Sequence, residues 1–295
     1  MNRLDPNAIF EQIATDIPTE LHECLYVTGS LAAAYHFQAK LEGGGVNTKD
    51  ADLVVHPAGN VDSCGKMTET LLALGWTPDP AVCYPCERPD PEDDLRLIRL
   101  YPPKSHDYFI EFLGLPEQGQ TVAKRLVPVQ LPDGWYGLAS FRFIGLTALC
   151  RHRSHVGLEY ASPPMMALSN LLSHRRVGTE RIKSGEIKGQ LRSAKDLGRV
   201  LALAWLAGRD ESEKWVASWS KGLRDCFPDD WKEFASQVGA GLKELLGDSA
   251  ALEEARKTTD VGLLNLKGVT AVMLQATGER LLQDVIEPLE LEAKD

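Results

Sequence analysis

The chain has 295 residues, of which 43% are hydrophobic and 25% charged, and its formal net charge is -10. This composition is typical of one large or two ordinary globular domains, and it excludes an intrinsically disordered chain. The acidic balance argues against a general nucleic-acid coat protein. The apolar runs are too short to span a membrane, and the first twenty residues lack the features of a signal peptide. We therefore expect a cytoplasmic protein with no membrane partner.

Cysteine and histidine residues give little sign of a metal site. The six cysteines are scattered, which favours reduced thiols over a disulfide framework. Cys83 and Cys86 form a CxxC pair with no second pair to complete a zinc site. His152 and His155 lie near Cys150 but also lack a fourth spaced ligand. We therefore interpret both groups as ordinary loop residues.

The first elements of the chain are a helix, a strand, a second helix and a second strand. Asp5 followed by Pro6 predicts a helix start, because the pair supplies a cap and then a residue preset for the first turn. The apolar stretch 25–28 predicts a short strand that ends at a Gly-Ser turn. An alanine-rich helix over 31–41 should follow, then a glycine loop and a strand over 50–55.

The rest of the first half is predicted to alternate between helix, loop and strand. A helix should run from Asn60 to the glycine at position 75. Residues 78–94 are rich in proline and acidic residues, which indicates an inserted loop. The strands 95–101 and 108–113 should then form an antiparallel pair. Further predicted elements are a strand over 127–131, a short helix over 141–150 and a strand over 156–160.

The character of the sequence changes near residue 162, where helical periodicity replaces the strand patterns. Helical patterns cover 165–176, 193–207, 212–226, 230–246 and 250 to the end. The prediction is therefore an α+β protein. A mixed sheet flanked by helices should occupy residues 1–162, and an all-α domain should occupy residues 163–295.

Two carboxylates open the second strand. Asp50 and Asp52 are two positions apart, so their side chains should project from the same face. Like charges at this spacing repel each other unless a cation lies between them, and oxygen ligands suit Mg²⁺ or Mn²⁺. Glu111, an unusual carboxylate within an apolar strand, is the candidate for a third ligand. The alternative for Glu111 is an edge position exposed to water.

The Gly-Ser turn before the first long helix is suited to an anion. Gly29 lets the backbone approach a phosphate closely, because no Cβ stands in the way. Ser30 adds a hydroxyl at a helix N-terminus, where free amide groups favour negative charge. The order strand, Gly-Ser, helix and acidic strand is far more restrictive than either short motif alone.

These residues resemble a known family. Val27-Thr28-Gly29-Ser30 with Thr48-Lys49-Asp50-Ala51-Asp52 is similar to the signature of the nucleotidyltransferase superfamily. Within it, the chain resembles the AbiEii-like bacterial toxins of phage-defence and toxin-antitoxin operons. The proline-led stretch 162–176 and the Ala194-Lys195-Asp196-Leu197 stretch match the second half of those proteins. The resemblance covers about residues 20 to 205.

The resemblance implies a fold, an activity and a set of site residues. The first domain would have the nucleotidyltransferase fold and would transfer a nucleoside monophosphate from an NTP to an RNA acceptor, such as a tRNA end, or to a protein. Asp50, Asp52 and Glu111 would serve as metal ligands, with Glu111 also able to act as a base. A neutralising antitoxin would be a partner. The implied nucleotide-binding residues are Gly29, Ser30, Thr48, Lys49, Arg175, Arg176, Lys195 and Asp196.

Several alternatives stay open at this point. The family commonly has a lysine where this chain has Asn170, and residues 43–47 lengthen the gap before the acids. A scaffold that binds a nucleotide or a partner without chemistry is therefore a second hypothesis. A small-molecule nucleotidyltransferase that acts on an antibiotic is a third.

The basic residues of the second half are also open to two interpretations. Residues 151–195 carry nine Arg and Lys against three Glu, a local charge of +6. This run would be either an RNA or phosphate contact surface or a solvated face. Lys195 and Asp196 would otherwise cap a helix, and Arg175 and Arg176 would be solvated residues at a helix end.

Overall fold

A computed structural model describes residues 3–41, 43, 45–88, 94–103, 105–117, 119–183 and 187–294. The chain forms two compact units. Unit 1 comprises Met1–His36 and Gly45–Ser162, and unit 2 comprises Phe37–Gly44 and Pro163–Asp295. The segment Phe37–Gly44 thus belongs to unit 2, although it lies within the range 1–162 that the sequence assigned to the first domain. Together the units make an α+β protein with a mixed sheet and many helices.

Unit 1 is built on a sheet of nine strands among the described residues. The strands are β1 (Leu25–Thr28), β2 (Asp50–Val55), β3 (Thr77–Pro78), β4 (Arg99–Tyr101), β5 (Phe109–Gly114), β6 (Lys124–Leu131), β7 (Gly134–Phe141), β8 (His152–Arg153) and β9 (Glu159–Tyr160). Their order is β3-β4-β5-β2-β1-β9-β8. β1 is antiparallel to β2, whereas β2 and β5 are parallel. The β6–β7 hairpin joins the sheet through a parallel contact of β7 with β5.

Three helices accompany this sheet: α1 (Pro6–Asp16), α2 (Gly29–His36) and α3 (Val61–Ala73). The Asp5 side chain caps α1 by accepting a hydrogen bond of 2.9 Å from the backbone N–H of Asn7. α2 follows β1 directly, and five of its six buried residues are apolar or aromatic side chains. Burial of this face attaches the helix to the sheet and fixes the position of the Gly-Ser turn at its start.

The strands predicted over 25–28 and 50–55 have the observed bounds, whereas the strand predicted over 95–101 is limited to Arg99–Tyr101. The antiparallel β4–β5 pair is confirmed. The sequence did not indicate β7, because residues 134–141 mix glycine and serine with apolar residues. The predicted helix 141–150 shrinks to a 3₁₀ turn over Ile144–Ala148. Residues 89–93, part of the predicted insertion, lie outside the described part of the chain.

Unit 2 is helical. Its elements are α4 (Pro163–Ser173), α5 (Arg192–Ala207), α6 (Arg209–Ser212), α7 (Trp215–Cys226), α8 (Trp231–Gln237), α9 (Ala240–Gly247), α10 (Ser249–Val261), α11 (Ala271–Leu281), a π-helical turn (Leu282–Ile286) and α12 (Glu287–Glu292). The two longest patterns, 230–246 and 250 to the end, are each divided into shorter helices.

Helix α5 is the central element of unit 2, with eleven buried residues that face α4, α10 and α11. Gly198 permits the close contact with α10, because a Cβ there would lie 3.0 Å from the backbone oxygen of Ala255. Trp219 is fully buried, and its indole N–H donates a hydrogen bond of 2.8 Å to the backbone oxygen of Pro164. This indole is therefore a packing residue of the helical core.

Candidate functional site

The predicted acidic residues lie in one row across the sheet of unit 1. Asp52 on β2 is directly opposite Thr28 on β1 and Glu111 on β5. Glu111 in turn is opposite Arg99 on β4. Residues paired across neighbouring strands share a face, and the strands are about 4.8 Å apart. The register thus brings Asp52 and Glu111 side by side, although 59 positions separate them in the sequence.

Asp50 lies on the same face, two residues before Asp52. The Thr48 hydroxyl donates a hydrogen bond of 2.5 Å to Oδ1 of Asp50. Charge-assisted bonds of this kind fix the rotamer of a carboxylate. Lys49, between Thr48 and Asp50 in the chain, is exposed. Its backbone oxygen accepts a hydrogen bond from the N–H of Phe109. Thr48 therefore orients an acid, whereas the main chain of Lys49 extends the β2–β5 ladder.

The glycine of the Gly-Ser turn touches the second acid. Gly29 has φ +74°, and a Cβ at this position would lie 2.5 Å from Oδ2 of Asp52. The carboxylate of Asp52, on the neighbouring strand, thus occupies the space in which a side chain at position 29 would lie. Ser30 follows in the first turn of α2 and is half-buried. The turn and the acidic strand form one arrangement, with the carboxylate against the start of a helix.

Replacing Gly29 by alanine should destabilise the protein by about 1–3 kcal/mol more than replacing Gly59, as expected for an overpacked contact. Gly59 is the matched control, since its φ is +80° and a Cβ there would meet nothing within 4 Å. Urea unfolding of both variants measures the difference. In the double variant Gly29→Ala/Asp52→Ala, the excess destabilisation should shrink because the clashing carboxylate is gone. Equal losses of unfolding free energy for Gly29→Ala and Gly59→Ala would mean that the contact between Gly29 and Asp52 does not limit the side chain at position 29.

Glu111 is not an edge residue, contrary to one of the two predictions for it. β5 lies between β2 and β4, so the carboxylate is inside the sheet and 14% exposed. Arg99 is its partner: Nε and Nη2 donate hydrogen bonds of 3.0 and 2.7 Å to Oε2 of Glu111. Nη1 of Arg99 also lies 3.4 Å from Oδ2 of Asp79. The structure therefore adds a cation and a fourth carboxylate to the predicted site.

The electrostatics of Arg99 follow from this environment. Burial opposes the charge of the guanidinium, but attraction and hydrogen bonding from Glu111 and Asp79 outweigh it and raise the pKa of Arg99. The guanidinium Cζ lies 4.2 Å from the ring centroid of Phe109, which stacks on it. Sequence reasoning missed Arg99 and Asp79. The available signal was an arginine in an apolar strand next to a strand with an inward acid.

Two of the four predicted residues of unit 2, Asp196 and Arg175, have side-chain contacts within that unit. Asp196, in the second turn of α5, accepts a hydrogen bond of 2.8 Å from Nε2 of His174, and its Oδ1 lies 3.9 Å from Nη1 of Arg199. Burial of the carboxyl group would raise its pKa, but His174 and Arg199 prevail and lower the pKa of Asp196 to about 2. Asp196 thus ties the end of α4 to α5.

Arg175, Arg176 and Lys195 differ in how far they are engaged. The Arg175 guanidinium donates a hydrogen bond to the Gln237 side chain and lies 5.4 Å from the ring centroid of Phe234. Lys195 is half-buried on α5, and Arg176 is exposed after the end of α4. Arg175 therefore packs against neighbouring side chains. It is not simply a solvated residue at a helix end, which was one of its two interpretations.

The described residues contain no group of three or more His, Cys, Asp and Glu side chains arranged to hold a metal ion. Among the cysteines, the Cys83 thiol is buried, and burial raises its pKa. Cys86 donates a hydrogen bond to the backbone oxygen of Asp94. His155 bonds through Nδ1 to the Tyr35 hydroxyl at 2.7 Å. Cys83, Cys86 and His155 thus have structural roles, in burial or in hydrogen bonds to neighbouring residues.

Comparison with known proteins adds no relative. No family model, no curated protein and no solved structure matches the chain. Among the described helices, none combines the length and apolar character needed to cross a membrane.

Proposed function

We propose that the chain is a Mg²⁺-dependent nucleotidyltransferase of toxin-like type, which transfers a nucleoside monophosphate from an NTP to an acceptor. The observation that carries the proposal is the contact between the Gly29 turn and the Asp52 carboxylate, with Glu111 in register beside Asp52. A turn that binds phosphate and a pair of acids that bind a metal ion can act on the same nucleotide only when they are in direct contact, as Gly29 and Asp52 are. Unit 1 would then have the nucleotidyltransferase fold.

The donor atoms at this site are of the kind that a hard divalent cation prefers, although the described side chains are not arranged as a metal-binding group. Asp50, Asp52 and Glu111 offer carboxylate oxygens from one sheet face, and Mg²⁺ or Mn²⁺ prefers such ligands. When bound, the ion would neutralise phosphate oxygens and activate the attacking and leaving groups. Asp50 and Asp52 would be the ligands, with Glu111 as third ligand or as base for the acceptor hydroxyl.

The other residues have roles that follow from their positions. Gly29 and Ser30 would hold the triphosphate, because they open α2 and the first N–H groups of a helix have no intrahelical acceptor. Thr48 keeps Asp50 in one rotamer through its hydrogen bond, and Lys49 is an exposed cation for the nucleotide. Orientation of the two acids before substrate arrives lowers the cost of forming the reactive complex.

The acceptor we favour is RNA, with a tRNA end as the first candidate and a protein as the second. The +6 charge of residues 151–195 supports a polyanionic acceptor. Arg175, Arg176 and Lys195 are cations of unit 2 that would bind phosphates of the acceptor, and the contact of Asp196 with His174 makes Asp196 a positioning residue within that unit. In the cell, we expect a cytoplasmic protein with a cognate antitoxin.

A nucleotide-binding scaffold without chemistry is the second candidate. The observation in its favour is the ion pair of Arg99 with Glu111, which neutralises the third carboxylate. Asn170 in place of a lysine points the same way. Calorimetry with NTPs separates the two functions, since a scaffold would bind the nucleotide and release no pyrophosphate.

The test is to incubate the protein with each α-labelled NTP, Mg²⁺ and total RNA, and in parallel with a protein lysate. We expect label in one acceptor fraction and stoichiometric pyrophosphate, both lost when EDTA removes the metal. Label that persists in EDTA would contradict a metal-dependent mechanism. NTP binding without pyrophosphate from either acceptor pool would support the scaffold instead.

A further inference from the structure

The chain between α4 and α5 forms a two-stranded ribbon, although no element was predicted between the helical patterns that end at 176 and begin at 193. Arg181 and Leu191 are paired in an antiparallel bridge, and backbone hydrogen bonds of 2.8 and 2.9 Å lie on either side of it. The described residues of this ribbon are 180–183 and 187–192, and we call them the basic ribbon. Its backbone groups are thus paired with each other, and its side chains are presented on an extended frame.

The base of the basic ribbon is attached to two helices of unit 2. Oε2 of Glu254, on α10, accepts a hydrogen bond of 2.9 Å from the backbone N–H of Leu191, and its Oε1 lies 3.6 Å from Nη1 of Arg181. Ser193, which is 2% exposed at the start of α5, accepts a hydrogen bond of 3.1 Å from the N–H of Gly178. These contacts order the backbone before any partner binds, which lowers the entropic cost of binding.

Four cations project from this frame. The side chains of Arg181 and Arg192 are 58% and 51% exposed. Lys183 and Lys188 are exposed as well. The ion pairs of the two arginines are long, at 3.6 and 3.4 Å, and exposed pairs of this kind contribute little to stability. An incoming phosphate can therefore replace the carboxylate of either pair at small cost.

The cations are spread along the basic ribbon. Arg181 and Lys183 share one face, because alternate residues of an extended strand project to the same side, and they are roughly 6.6 Å apart along it. Arg192 is on the other face, next to Glu180. A row of separated positive charges is suited to an extended polyanion, which offers a phosphate at each step along its own chain.

The charge of the whole chain favours this part of it as the place where a polyanion binds. Residues 175–195 carry seven Arg and Lys against two Glu, a local charge of +5 that leaves -15 for the rest of the chain. A polyanion is repelled by the remainder of the surface and attracted to this segment. A membrane surface is less suitable, because no described residue of the basic ribbon is an exposed large hydrophobic side chain that would insert among lipids.

We propose that the basic ribbon is the docking surface for the sugar-phosphate backbone of RNA. This inference rests on the proposed function in one respect, because it takes RNA as the acceptor. The ribbon offers positive charge and no aromatic side chain, so it binds phosphates and does not read bases. Binding is therefore independent of sequence, needs no divalent cation and falls steeply with salt.

The experiment measures binding of a short, fluorescently labelled single-stranded RNA by anisotropy, in EDTA and without NTP. Lys183→Gln/Lys188→Gln should weaken binding about tenfold at about 0.1 M salt. It should also reduce the slope of log affinity against log salt by about 1.4, because each contact with a single strand contributes about 0.7. RNAs of different sequence should lose affinity equally.

Lys214→Gln/Lys221→Gln is the matched control, because it also removes two lysines from exposed positions of unit 2 and changes the net charge equally. Its RNA affinity should stay within about twofold of the wild type. Lys183→Arg/Lys188→Arg keeps the charge and should retain the wild-type affinity. Circular dichroism checks the fold of each variant, and if the glutamine pair fails to fold, each single glutamine variant should still weaken binding about threefold.

The outcomes separate this inference from the proposed function. An unchanged RNA affinity in Lys183→Gln/Lys188→Gln, or an equal loss in the matched control, would overturn the inference, and label transferred to RNA would leave the function standing. Ribbon-dependent RNA binding without any transfer would support the inference and contradict the function. Vesicles of phosphatidylserine are the second probe. If the ribbon lysines are needed for binding to the vesicles and not to RNA, the surface belongs to a membrane and the inference is wrong.

Discussion

Asp50→Asn and Asp52→Asn should each lower nucleotidyl transfer by at least about a hundredfold, the scale on which loss of one charge-stabilising group slows an enzyme. The amide keeps the shape of the side chain but loses its negative charge, so a divalent cation loses a strong ligand. The Asp50→Asn protein should still fold, because an amide oxygen can accept the Thr48 hydrogen bond in place of the carboxylate. Labelled-NTP transfer in the presence of Mg²⁺ measures the effect.

The control for this pair is Glu69→Gln on the exposed face of α3. It makes the same chemical change at a carboxylate remote in sequence from the acids, and transfer should stay within about twofold of the wild type, as for most surface substitutions. Transfer that survives both substitutions would show that the activity resides elsewhere.

Gly241→Ala should be the most damaging single substitution in unit 2, with a loss of about 3 kcal/mol or more in the free energy of unfolding. Gly241 lies in α9, and a Cβ there would be 1.8 Å from the backbone oxygen of His174. A backbone atom cannot rotate away as the end of a side chain can. The helix or the segment after α4 would have to move, and His174 would be pulled from Asp196.

Gly247→Ala is the matched control, because it lies at the end of the same helix and a Cβ there would meet nothing within 4 Å. This variant should be neutral or stabilised by up to about 1 kcal/mol, since alanine lowers the entropy of the unfolded chain. Urea unfolding followed by tryptophan fluorescence is suitable, because four of the six tryptophans belong to unit 2. A Gly241→Ala protein as stable as Gly247→Ala would contradict the close packing of α9 against this segment.

The sequence predicted those parts of the fold whose signals are local. Asp5 and Pro6 marked the start of α1, because a cap and its helix are adjacent in the chain. The apolar stretches at 25–28 and 50–55 were recognised as β1 and β2, since each strand has a run of buried residues. β7 was not predicted, because Gly137 and Ser140 are buried by their place in the sheet rather than by their own hydrophobicity.

The candidate site was predictable to a smaller extent. Asp50 and Asp52 were expected on one face because strand geometry alone places alternate residues together. Glu111 had two interpretations, because the sequence does not show whether its strand lies at the edge or in the interior of the sheet. Arg99 and Asp79 were missed altogether, since neither is near Glu111 in the chain. The β4–β5 pair was predicted, but no local pattern encodes its register, which places Arg99 opposite Glu111, or the position of Asp79 beside Arg99.

The sequence by itself determined the strand-turn-helix start of the site, the side-by-side acids on β2 and the change to helices after residue 162. These features depend on the period of the backbone and on residues a few positions apart. Only the tertiary structure decided that the Asp52 carboxylate fills the space beside Gly29 and that Glu111 is paired with a guanidinium. The physical reason is that register and strand order result from burial of the whole sheet, and they bring together side chains that the chain itself keeps apart.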